Sequence, residues 1–86
     1  MSDEIKFEFI QILDELAEQQ NKLTLLNLET EKLKEQYNLD PNNQELLDYI
    51  KAHEEKYKEL YEKSVALNKR SKELLKKSNE EENSEN

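Results

Sequence analysis

His53 is the only histidine in the 86-residue chain, and a lone imidazole is its one natural general acid or base near neutral pH. Acid–base work needs a second group to orient it and a cleft to hold a substrate, and neither is visible beside it in the sequence. Cysteine is absent and no second histidine exists, so thiolate and multi-histidine metal sites are excluded; no metal and no cofactor is expected. Carboxylates are abundant, but Glu54-Glu55 and Glu80-Glu81-Glu82 are runs along the chain, which splay around a helix instead of converging. A phosphate-cradling loop needs glycine, and the chain has none. No nucleophile stands with a base and an orienter. The expectation is a protein with no catalytic residues, not an enzyme.

Two further residue groups have chemical character. Lys63, Lys69, Arg70, Lys72, Lys76 and Lys77 form a basic cluster, suited either to an acidic partner or to a solvated face that pairs with Glu8 and Glu15. The formal net charge of −8 argues against nucleic acid as a partner. Tyr37, Tyr49, Tyr57 and Tyr61 have the spacing of helix-seam and seam-edge residues.

The elements that must position these residues follow from two hydrophobic stripes. Ile5, Phe9, Ile12, Leu16, Gln19, Leu23, Leu26, Thr30, Leu33 and Tyr37 step by alternating fours and threes. Leu46, Ile50, His53, Tyr57, Leu60, Ser64, Leu67, Ser71, Leu74 and Ser78 do the same. That is the seam spacing of a coiled coil. Proline occurs once, at Pro41 between the stripes, where a continuous helix would lose about 3 kcal/mol. The predicted fold is therefore all-α: an antiparallel two-helix hairpin of coiled-coil type over 1–78. One long helix in a parallel oligomer, or arms exchanged between two chains, are the alternatives. Helix one is expected over about 3–37, capped by Ser2 or Asp3 and ended at Asn38 in a left-handed conformation. The turn takes 38–42, with Asp40 capping helix two and Pro41 at its first position, or Asn42 capping with Glu45 in a capping box. Helix two runs to about Ser78. Residues 79–86 have no apolar side chain and are expected to be a disordered acidic tail.

Folding at Asp40-Pro41 and pairing Tyr37 with Leu46 propagates a full register. Leu33 meets Ile50, Thr30 meets His53, Leu26 meets Tyr57, Leu23 meets Leu60, and Gln19 meets Ser64. The open end follows with Leu16 against Leu67, Ile12 against Ser71, Phe9 against Leu74 and Ile5 against Ser78. The polar residues thus fall opposite one another, and the expectation is that Gln19 with Ser64, and Thr30 with His53, hydrogen-bond across the seam and set the register. Flanking charges are expected to match as Glu8 with Lys77, Glu15 with Arg70, Glu29 with Lys56, and Lys34 with Glu54. Lys22 against Lys63 is the one like-charged mismatch.

Charged residues are 40% of the chain and hydrophobic ones 34%, so one seam is all the core it can build. Apolar residues nevertheless remain beside that seam. Ile10, Leu13, Ala17, Gln20, Thr24 and Asn27 form an uncharged strip on helix one. Tyr61, Val65, Asn68 and Leu75 match it on helix two, interrupted by Lys72. This strip either widens the hairpin core or binds partner helices, completing a four-helix bundle by dimerisation or with another protein. The expected function is a non-catalytic protein–protein interaction module, a small subunit or adaptor of a larger complex. The alternatives are an assembly scaffold or chaperone, as in virion morphogenesis, and a small acidic inhibitor of antitoxin type that masks a basic target. No apolar run is long enough for a membrane, and the acidic start lacks the pattern of a secretory signal. The expected location is intracellular and soluble.

Overall fold

The computed structural model describes residues 2–84. Two helices, α1 (Asp3–Leu39) and α2 (Gln44–Ser84), lie antiparallel in a rod whose Cα extents are 68 × 14 × 14 Å. The predicted hairpin is the observed architecture.

Ser2 caps α1 as expected: its Oγ accepts the Ile5 N–H at 3.3 Å, and Asp3 and Glu4 place negative charge at the positive end of the dipole. The turn differs in detail from the sequence expectation. α1 continues through Asn38 to Leu39, and no described residue has a positive φ. Asp40 closes α1 instead of opening α2, its N–H donating to the Gln36 and Tyr37 carbonyls at 3.1 Å each. Its extended φ of −141° and ψ of 68° suit a residue before proline, which is kept out of the helical region by the ring. Pro41 then occupies the second position of a turn that the Asn43 N–H closes onto the Asp40 carbonyl at 3.1 Å. Asn43, not Asp40 or Asn42, caps α2: its Oδ1 accepts the Leu46 N–H at 3.2 Å, while its Nδ2 donates to Asp40 Oδ2 at 3.2 Å. A turn begun by Asp-Pro uses four residues, so the cap falls one place later than the capping-box reading allows.

The other end also differs. α2 runs through Ser84, past the expected stop at Ser78, so residues 79–84 are helical where a disordered tail was expected; Glu85 and Asn86 lie outside the described residues. Nothing in 79–84 breaks a helix, and glutamate is among the better helix formers. Ser78 is buried and Glu81 half-buried, so the seam itself continues into this segment.

Packing follows the stripes. Ile5, Ile12, Leu23, Ile50 and Leu74 are buried, and Leu74, at 1% exposure, is the deepest. Leu74 clusters with Ile5 and Ile12, and Phe9, Leu16 and Leu67 pack against the three. That places Leu74 level with Phe9, the predicted register. Three cross-helix pairs confirm the antiparallel sense: Glu8 meets Arg70 near the open end, whereas Glu29 meets His53 and Lys34 meets Glu54 nearer the turn. The last is the expected partner. The other two are corrections, because Glu8 meets Arg70 in place of Lys77, and Glu29 meets His53 in place of Lys56. The long guanidinium fork puts both Nε and Nη2 on Glu8 Oε1, at 2.9 and 2.8 Å, and its Nη1 lies 3.6 Å from Glu73.

The polar layers form without the expected cross-seam bonds. Thr30 Oγ1 donates to the Leu26 carbonyl at 2.7 Å, and Ser64 Oγ to the Leu60 carbonyl at 3.1 Å, each on its own helix. His53 Nδ1 lies 2.8 Å from the Tyr49 carbonyl oxygen, and its Nε2 3.2 Å from Glu29 Oε2. A hydroxyl inside a helix finds the carbonyl one turn back more easily than it spans the gap between two axes. Gln19 is left with the cost: it is 3% exposed, and its Oε1 has no hydrogen-bond partner among the described residues.

Two outcomes test this packing. Gln19→Leu should stabilise the chain by about 1–2 kcal/mol in urea unfolding, because it removes a buried acceptor that is unpaired; a loss of stability would show the amide satisfied in solution. Leu74→Ala should cost about 2–5 kcal/mol and its exposed neighbour Leu75→Ala about 1 kcal/mol or less, measured at concentrations where the chain is monomeric. Equal losses would put the wrong leucine in the seam.

Candidate interaction surface

Lys34 Nζ and Glu54 Oε1 approach to 3.8 Å across the helices, which fixes one side of the rod. Lys34 stands four residues beyond seam residue Thr30, and Glu54 one residue beyond His53. Leu13, Gln20 and Asn27 on α1, and Tyr61, Asn68 and Leu75 on α2, hold those same offsets from the seam and share that side. Ile10, Ala17, Thr24 and Val65 widen it by one helical position.

Every residue of the predicted strip is exposed. Ile10 and Leu13 are each 47% exposed, Leu75 44%, Val65 50% and Tyr61 55%. Thr24 Oγ1 donates to the Gln20 carbonyl at 3.0 Å, which turns its methyl group outward as part of the surface. The strip therefore does not widen the hairpin's own core, the blander of the two readings of the sequence. Lys72 is the charged residue within it.

Tyr57 belongs to this surface as well, although its spacing places it in the seam against Leu26. It is 39% exposed and stacks on Tyr61, with ring centroids 6.5 Å apart and planes at 11°. Together with Asn27, Thr30, Lys34 and Glu54 it lines a shallow groove shared by the two helices. A phenol in a two-helix seam has no room to satisfy its hydroxyl and turns that end to water, which outweighs the seam spacing.

The opposite side is organised differently. It carries the Glu8–Arg70 and Glu29–His53 pairs and a groove lined by Lys22, Leu25, Leu26, Glu29, Lys56 and Leu60. Lys22 pairs along its own helix with Glu18 at 3.3 Å, which relieves the expected Lys22–Lys63 mismatch. The hydrogen bond to Glu8, and then the Glu8 charge, raise the Arg70 pKa above its ordinary value. Stability from such a raised cationic group is complete below the unfolded pKa and lost only above it, so this pair adds no pH dependence near neutrality. Phe7 and Leu28 are isolated exposed apolar residues on the remaining faces.

The geometry offers a binding surface more readily than a reaction site. The grooves are open troughs along the rod, and the two nitrogens of His53 are committed to Tyr49 and Glu29. No group of three or more histidine or acidic side chains that could hold a metal ion occurs among the described residues. No helix among them is long and apolar enough to cross a membrane. No protein-family model matches the chain, no curated protein matches its sequence, and no solved structure matches its fold.

Proposed function

We propose that this chain is a non-catalytic interaction module, a small subunit or adaptor that joins a larger assembly by laying one side of its hairpin against partner helices. The observation that carries the reading is the exposed strip of apolar and neutral polar residues, with Lys72 its one charge, in a chain that is 40% charged. Its two halves sit on different helices and meet on one side only because the hairpin is closed, so a folded hairpin is what a partner would recognise. The apolar members supply the driving force at about 25 cal/mol per Å² covered. Gln20, Thr24, Asn27 and Asn68 supply hydrogen bonds that select an offset, since an interface that leaves them dry and unpaired is penalised.

Leu13→Glu combined with Val65→Glu puts two carboxylates into the strip and touches no buried residue. Crosslinking capture from the native cell should recover stoichiometric partners with the wild type and lose them by tenfold or more with the double variant, because a buried unpaired charge costs several kcal/mol. Helix content and thermal midpoint should be unchanged at low concentration. Equal recovery by both proteins would remove the strip from the function.

A further inference from the structure

We infer that the occupant of the strip is a second copy of this chain, packed side by side in the parallel sense, with the two turns at the same end of a four-helix bundle. This rests on the interaction reading above and names its partner. A two-fold axis along the rod sets α1 of one copy against α2 of the other and keeps every residue at its own level. The pairs that then meet are those already level within one hairpin. Leu13 meets Leu75 of the second copy, and the symmetric contact completes a layer of four leucines. Gln20 meets Asn68 of the second copy, two amides that can each donate and accept. Thr24 meets Val65, Asn27 meets Tyr61, and Lys34 meets Glu54, again of opposite charge. Lys72, the one charge inside the strip, falls opposite Ala17 of the second copy, about one turn from its Asp14.

The antiparallel arrangement of the same faces is poorer at each of these points. Centred on Gln20, it sets Leu13 against Asn27 and Lys34 against Lys6, an apolar–polar mismatch and a like-charge contact. A two-fold interface sets each face against its own copy, and the parallel sense keeps the opposite charges of Lys34 and Glu54 together while doing so. The area suffices. From Ile10 to Lys34 the face is about 36 Å long at 1.5 Å per residue and about 20 Å wide for two helices. Two copies would bury about 1,400 Å² together, within the range of stable interfaces.

The chain has no cysteine, so Asn42→Cys in the exposed turn gives one unique attachment point for a nitroxide. Sedimentation of the unlabelled wild type should give a dimer that Leu13→Glu converts to a folded monomer. Pulsed dipolar spectroscopy on the labelled protein should give a turn-to-turn distance of about 15–30 Å; the antiparallel dimer would place the labels about 60 Å apart, given the rise of the two helices. A wild-type monomer at millimolar concentration overturns the inference and leaves the strip to a foreign partner, which the capture experiment reads independently. A dimer with the long distance overturns it too. A dimer indifferent to Leu13→Glu overturns it and removes the strip from self-association.

Discussion

A seam between two helices holds two side chains per layer, and every other property of this rod descends from that limit. A third or fourth helix would enclose each layer; here only the innermost position closes. The solvent-accessible surface is 6,812 Å², against about 5,400 Å² expected for a compact protein of 10.3 kDa. Stability is therefore concentrated in a few contacts. The interlock of Leu74 with Ile5 and Ile12 at the open end holds the two helices together far from the turn that covalently joins them.

Within that limit the serines of α2 have a structural role. Ser64, Ser71 and Ser78 recur every seven residues, alternating with Leu60, Leu67 and Leu74. The α1 residues level with those serines are Gln19, Ile12 and Ile5, and all three are buried; Phe9 and Leu16, level with Leu74 and Leu67, are only half-buried, although Leu23, level with Leu60, is buried as well. A small side chain leaves room for the opposing one to sink, so large faces small in one layer and leucine meets a second bulky residue in the next. Register is held by this fit of sizes, not by hydrogen bonds across the seam. Gln19 shows the consequence: the space opposite Ser64 draws it inside, but the serine hydroxyl is already committed to Leu60.

The sequence carried the hairpin, its sense and its register, because two unbroken three-and-four stripes flank one proline and a heptad slip would move Leu74 away from Ile5 and Ile12. It did not carry the details of the turn. Asn38, Asp40, Asn42 and Asn43 can all cap, and the choice depends on how many residues the Asp-Pro turn consumes. It misplaced the end of α2 because composition alone made 79–84 look unstructured, whereas a chain already docked through Leu74 and Ser78 needs only good helix formers to continue. The polar layers were placed correctly and bonded wrongly, since residue pairing says nothing of the carbonyl one turn back on the same helix. The strip's exposed state was legible from its offset to the seam. Tyr57 was not, because its spacing and its bulk point to opposite sides of the same position.

The division of labour between the two long sides of the rod follows from where charge was placed. On one side, Glu8 with Arg70 and Glu29 with His53 commit charges to intramolecular pairs at the solvent boundary, where each is worth little to stability but makes burial of that side by another molecule unfavourable. On the strip side, α1 carries no charge from Ile10 to Asn27 and α2 only Lys72 at those levels, until Lys34 and Glu54 toward the turn. A surface that merely needed solubility would have no reason for this asymmetry. Withholding charge leaves the rod with one side that would gain by being covered and one that would resist it, so a partner of the kind proposed would be admitted from a single side, toward the open end.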